Sequence, residues 1–167
     1  HYNIMLIVFI KAFSAIFGVI DPVGNVPVFL SLTEKFDQKT RQKLATKAVL
    51  RAAVILIIVV FFGNIILDFF NISLQSFRIA GGVILFLIGL QILFGIEFNR
   101  KLQSELNSDD ISAIPIATPL IAGPGTITTI IIFSKEYGYL TIIFAVSANL
   151  LLLWFLFRYA HYVLKLL

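Results

Sequence analysis

Cysteine is absent from this chain, and histidine occurs only as His1 and His161. The first absence excludes disulfide frameworks and thiolate nucleophiles; with it, two isolated histidines leave no cluster from which a metal centre could be built. Charge is also scarce. Asp, Glu, Lys and Arg together make 13% of the 167 residues, about half the usual share of roughly 25%. No acid, nucleophile and histidine come together within the apolar segments, so an enzyme is not expected, and no cofactor is called for.

Apolar side chains take the space instead. Hydrophobic residues reach 59% with a mean hydropathy of +0.99, whereas soluble domains hold about 45–50%. Apolar stretches with isolated polar residues run over 4–32, 52–67, 79–96, 113–133 and 138–157. Crossing a hydrocarbon core of about 30 Å takes roughly 20 such residues. At least five membrane segments are therefore expected. The first continues through Asp21 without a small-residue cleavage site, which argues against a removable signal peptide.

The net charge of +4 is explained by where the charges fall. With the N-terminus outside, the inner side carries Lys35, Lys39, Arg41, Lys43, Lys47, Arg51, Arg100, Lys101, Arg158 and Lys165. The outer side has only Lys11, Arg78 and Lys135. This asymmetry follows the positive-inside rule, so the basicity sets topology and nucleic acid is not an expected partner. The basic residues from Lys35 to Arg51 recur at steps of four, one stripe if the polar loop 34–51 is helical. Such a stripe suits anionic lipid.

A repeat lies beneath the apolar pattern. Shifting the sequence by 101 places Gly24 on Gly125, Asn25 on Thr126, Thr33 on Ser134, and Glu34–Lys35 on Lys135–Glu136. In the next segment the shift is 85, and Gly63 and Asn64 fall on Ala148 and Asn149. The third segment of the first half, RIAGGVILFLIGLQILFGI, has no counterpart, so a sixth segment is missing from this chain. Three crossings per unit give inverted copies, as in many secondary transporters. The expected architecture is all-α: a polytopic helix bundle with inverted 3+3 repeats, a broken helix opening each repeat, and the last helix absent. Residues 1–98 form the first repeat, 99–112 a connecting loop and 113–167 an incomplete second repeat, all within one membrane domain, 1–167.

The breaks are GVIDPVGNVPVFL, 18–30, and PLIAGPGTITTII, 119–131. Asp, Pro and Gly at Asp21, Pro22 and Gly24 give a type I turn. Asn25 is then the expected N-cap of a new helix opened by Val26 and Pro27. Thr126 is the matching N-cap after an unwound Ala122–Gly125. From Asn25 to Thr33 is roughly 13 Å of helix, near half the hydrocarbon thickness, which puts each break near the midplane if Thr33 and Ser134 mark the surface. Unwound backbone at that depth must be buried or line a cavity. Free N–H groups at a helix start suit a carboxylate, so Asp21, Gly24, Asn25, Val26, Gly123, Gly125, Thr126 and Ile127 form the expected substrate site.

Asp21 has two readings, a partner for an ammonium group or coupling cation and a cap for its own turn. Asn64, Thr118 and Asn149 are candidates for lining a path, although Asn64, Asn149 and Ser147 equally suit hydrogen bonds between helices. Thr118, Thr128 and Thr129 can satisfy carbonyls freed near a break. Gly82 and Gly89, seven apart, mark a close-packing face on the third segment.

DPVGNVPVFLSLT, RIAGGVILFLIGLQIL and TPLIAGPGTITTII resemble the signature stretches of the MarC family of prokaryotic inner-membrane proteins. That family includes the SnatA-type transporters of small neutral amino acids. The resemblance covers nearly the whole chain and implies a six-helix, multi-pass inner-membrane protein moving glycine, alanine and similar solutes. It points to Asp21, Pro22, Gly24, Asn25 and Pro27, and to Gly123, Pro124, Gly125 and Thr126. The chain departs from the pattern in carrying Asp21 where relatives often have Asn, and in lacking the sixth helix.

The function expected is a secondary transporter working by alternating access, with a sodium or proton coupling ion left open. Its partners are a small neutral amino acid and the bilayer, and assembly of several copies is compatible with the sequence. The alternative is a channel or an accessory membrane subunit without a transport cycle of its own.

Overall fold

A computed structural model describes residues 2–93, 117 and 120–162. Its helices are α1 (Tyr2–Ile20), α2 (Asn25–Leu32), α3 (Gln38–Phe69), α4 (Leu74–Leu93), α5 (Pro124–Tyr137) and α6 (Tyr139–Arg158). Among the described residues there is no strand. In a lipid interior a helix satisfies its backbone internally, and these Leu-, Ile-, Phe- and Ala-rich segments have no other solution short of a closed barrel.

By length and composition α3 and α6 can each cross a membrane; α1 and α2, bent by 41° at their break, make a third crossing if counted together. Three of the five expected segments are met in this way. The fourth, 113–133, and the end of the third fall partly outside the described residues. The lengths on either side of the first break are unequal, 19 residues before and 8 after. A break at mid-depth would divide a span evenly.

The polar stretch 34–51, expected as a loop, is helical from Gln38 onward and continuous with the apolar segment that follows, giving α3 its 32 residues. Lys39, Lys43, Lys47 and Arg51 lie along it. A step of four overshoots the turn of 3.6 residues, so their row winds around the helix and does not make one straight stripe. The short link from α2 is held by Arg41, whose guanidinium donates to the carbonyls of Thr33 and Phe36, each at 3.3 Å. A cation is favourable there because those carbonyls sit at the negative end of α2.

Packing centres on α5 and α6. Helix α6 lies against α1 and α3, while α5 touches α1, α3, α4 and α6; the contact of α2 is with α6. Trp154 donates to the Thr46 hydroxyl at 2.9 Å, and Phe61 stacks on Tyr139 with centroids 6.3 Å apart, so α3 and α6 run antiparallel. Phe29 stacks on Phe157 at 4.3 Å, docking α2 on the last turns of α6. At the opposite end, Lys135–Asp68 (3.6 Å) and Arg78–Glu136 (3.2 Å) join the ends of α3 and α5 and the start of α4. These pairs are half exposed and orient more than they stabilise.

Buried Ala45, Ala48, Ala52 and Ala145 allow the helices to approach closely. Large apolar side chains stay outside, among them Leu50, Val54, Ile58, Phe62, Phe69, Leu151 and Phe155. A patch of that extent is incompatible with water and suits acyl chains. The expected packing face on α4 is displaced by one residue. Gly82 is exposed with nothing within 4 Å of a Cβ, whereas Gly81 is buried and a Cβ there would overlap the Thr128 side chain. Adjacent helical residues point about 100° apart, and composition alone did not tell them apart.

The Trp154–Thr46 bond gives a direct test of the α3–α6 register. Thr46→Val leaves the indole N–H without its acceptor, and a loss of about 1–2 kcal/mol is expected. Thermal unfolding in detergent would measure it, and an unchanged midpoint would remove this bond from the account.

Candidate functional site at two helix breaks

Both breaks border one continuous core that includes Ile20 and Val26 from the first and Ile121 and Ala122 from the second. Their local chemistry differs, and this decides what each can do.

At the first break α1 ends as Asp21 turns into the left-handed region, φ 45°. The Asp21 N–H still donates to the Phe17 carbonyl at 2.8 Å. Its carboxylate accepts from the Gly24 N–H at 3.0 Å, and its carbonyl accepts from the Asn25 N–H at 3.0 Å. The Val26 N–H goes to the Val23 carbonyl at 3.2 Å. Every N–H from Gly24 to Val26 is therefore taken within the chain. The free donors expected here are not free: the Asp21 carboxylate takes one, and the carbonyls of Asp21 and Val23 take the other two.

Asn25 does not cap either. It is the first residue of α2, with Gly24 in the cap position. Its buried amide turns back and donates to the Ile20 carbonyl, left over at the end of α1. Of the two readings of Asp21, the geometry matches the cap, since the residue is exposed and bound to its own turn. Gly24 is required by the same contact, because a Cβ there would run into the Asp21 carboxylate. Asp21→Asn keeps an acceptor and a residue tolerant of positive φ, so stability should hold. Asp21→Ala loses both and should cost about 1–3 kcal/mol. Equal unfolding midpoints for the two variants would refute the cap.

At the second break no acceptor among the described residues meets the first donors. Helix α5 begins at Pro124, three residues earlier than expected, with Gly123 in place of Thr126 as the cap at φ −84° and ψ 171°. Proline has no N–H, Gly123 has no side chain to offer, and the first bond into the helix is Ile127 N–H to the Gly123 carbonyl at 3.0 Å. The N–H groups of Gly125 and Thr126 precede that bond, and among the described residues no side chain caps them. Both residues are buried, Thr126 at 2% exposure. Ile127 is half-buried beside them. Thr126 is thus the third residue of α5, not its cap. Thr129 donates to the Gly125 carbonyl at 2.9 Å, and Thr128 is buried against Gly81. Thr118 lies outside the described residues.

Asn64 and Asn149 join helices. Asn64 donates to the Ile131 carbonyl of α5 at 3.4 Å, and Asn149 to Phe13 of α1 at 3.2 Å and to Ala145 at 2.9 Å. Both are buried, so neither lines an open path in this conformation; the side-chain oxygen of each has no donor. Ser147 instead is exposed in a lipid-side groove of about 390 Å³ with Phe9, Thr141 and Phe144. Sequence reading missed Gly81 and the Arg41 bracket. The signal for Gly81 was the adjacent glycine pair; Arg41 carried none.

The model of the MarC family of integral membrane proteins matches residues 6–167. A UPF0056 membrane protein of Methanocaldococcus jannaschii is 43% identical over 77% of this chain and 64% of its own length. One of Archaeoglobus fulgidus is 35% identical over 92% of this chain and 74% of its own. The UPF0056 membrane protein YhcE of Escherichia coli is 36% identical over 96% and 79%. The chain thus spans about two thirds to four fifths of the length of these relatives. No solved structure matches it. Its apolar helices, its two Gly/Pro breaks and a family match over almost every residue lead to one assignment: the chain belongs to the MarC family of integral membrane proteins.

Proposed function

We propose that this protein is a secondary transporter of small neutral amino acids such as glycine and alanine in a prokaryotic inner membrane. The observation that carries the reading is the start of α5, where the buried Gly125 and Thr126 have N–H groups ahead of the first intrahelical bond and no cap among the described residues. An unsatisfied N–H in hydrocarbon costs several kcal/mol, and the positive end of a helix suits a carboxylate. Helix α5 is roughly 21 Å long, so its start lies inside the hydrocarbon depth if Lys135 and Glu136 at its far end are at the surface. The substrate ammonium then meets carbonyls of the turn before Gly123. The first break serves as the structural counterpart, with Asp21 as its cap.

Equivalent positions of the two halves support the inverted repeat. Thr33 and Ser134 are both buried, and each donates to the carbonyl four residues back, Phe29 and Ile130. Asn25 and Thr126 are both buried. Asn64 of the first half binds the broken helix of the second, and Asn149 of the second binds α1 of the first. Rocking of one half against the other would exchange such contacts and open the site to alternate sides. Purified protein in liposomes should bind glycine or alanine and move them under a sodium or proton gradient. Absence of both binding and flux for a panel of small neutral amino acids rejects the reading.

A further inference from the structure

Cations gather where α3 begins and α6 ends. Trp154 donates to Thr46 across the seam between these helices at 2.9 Å, and the Arg158 guanidinium lies over the indole, 5.3 Å from its centroid. Because α3 and α6 run antiparallel, Arg158, one turn beyond Trp154, comes level with Gln42, one turn before Thr46. Lys39 and Lys43 stand on either side of that level, and both are exposed. At about 100° per residue they lie roughly 20° and 60° round α3 from Thr46, whereas Lys47 and Arg51 have turned roughly 100° and 140° away. Helix α6 carries no acid, and the one acid of α3, Asp68, is at its opposite end.

On α6 the side that bears Arg158 runs back through Trp154, Leu151 and Ser147 at steps of four, three and four. Ser147 and Leu151 line the groove of about 390 Å³ that Phe9, Thr141, Phe144 and Ala148 complete. From Ser147 to Arg158 is roughly 16 Å of helix. That is about half of a hydrocarbon core of about 30 Å, the depth of one leaflet.

We infer that this seam binds one anionic phospholipid, with its phosphate held by Lys39, Lys43 and Arg158 and an acyl chain laid along α6 into the groove. Basic residues beside a membrane attract anionic lipid without fixing its place. Here the tryptophan, whose ring favours the headgroup level, and a groove one leaflet deep define a position for a single molecule. The winding of α3 divides its basic row, so that Lys39 and Lys43 belong to this site and Lys47 and Arg51 do not. Such a site does not depend on what the protein carries.

Trp154 is the one tryptophan of these 167 residues, so its fluorescence reports the site. The protein is reconstituted in phosphatidylcholine vesicles into which dibrominated phosphatidylglycerol or dibrominated phosphatidylcholine is titrated, since bromine quenches an indole at contact. Phosphatidylglycerol should quench with an apparent affinity higher by about tenfold or more. Lys43→Gln and Arg158→Gln should each lower that preference by about three- to fivefold, while Lys11→Gln, an equal change of charge on α1, should leave it within about twofold. Circular dichroism confirms that each variant is folded. Equal quenching by the two lipids would mean unselective contact with the bilayer and overturn the inference, as would a preference that survives replacement of Lys39, Lys43 and Arg158 together. An equal fall in Lys11→Gln would make the preference one of net charge and overturn it too. Release of phosphatidylglycerol by excess inorganic phosphate would make the ligand a free anion and remove the lipid. Loss of transport with the lipid preference intact would count against the proposed function alone.

Discussion

Gly125→Leu is expected to abolish binding of glycine and alanine while leaving the bundle folded. Gly125 is buried between exposed Pro124 and buried Thr126, and it supplies one of the two N–H groups ahead of the first intrahelical bond. A leucine side chain on this turn fills the space where a carboxylate would approach. Loss of one charge-assisted contact with exclusion of the ligand should lower affinity by roughly a hundredfold or more, equivalent to about 2.7 kcal/mol. Asn25→Ser and Asp21→Asn, at a break whose donors are already taken, should change affinity by less than about tenfold. Equilibrium binding in detergent distinguishes these cases, with circular dichroism to confirm folding. Unchanged affinity in Gly125→Leu would move the site away from α5. Loss of binding in Asp21→Asn would give the recognition role to the carboxylate instead.

The second large effect is expected at the α3–α5 contact. A Cβ at Gly63 would lie 2.5 Å from Ile131 Cγ1 and 2.9 Å from Cδ1, so Gly63→Leu forces the helices apart. Overpacking of this kind costs about 1–3 kcal/mol. Separation also breaks the bond from Asn64 to the Ile131 carbonyl, leaving a buried amide with neither atom paired and adding about 1–3 kcal/mol. At about 2–4 °C per kcal/mol for a chain of this size, the unfolding midpoint should fall by roughly 5–20 °C. Ile131→Ala in the same chain makes room and should return part of the loss, a coupling that a double-mutant cycle reads directly. If the two substitutions add without coupling, the side chains do not meet.

Much of the fold was legible because the signals are local. Apolar length marks a crossing, and Pro and Gly at Pro22, Gly24, Gly123 and Pro124 cannot continue a helix through those points. The limits of α2 fell within one residue of expectation and those of α5 within three for that reason. The site was legible only in outline. Asp21, Asn25 and Thr126 all have cap-forming side chains, yet only the carboxylate of Asp21 caps. Which donor is used first depends on the left-handed backbone at Asp21 and on the position of the Ile20 carbonyl.

The sequence by itself determined that this is a membrane helix protein and where its helices break. Only the tertiary structure decided which helix faces meet: Gly81 and not Gly82 against Thr128, Gly63 against Ile131, and Asn64 and Asn149 between helices. The reason is the solvent. In water the buried face of a helix is apolar and the other polar, so periodicity reveals orientation; in a bilayer both faces are apolar, and the rotation of each helix is settled by close packing and a few buried hydrogen bonds.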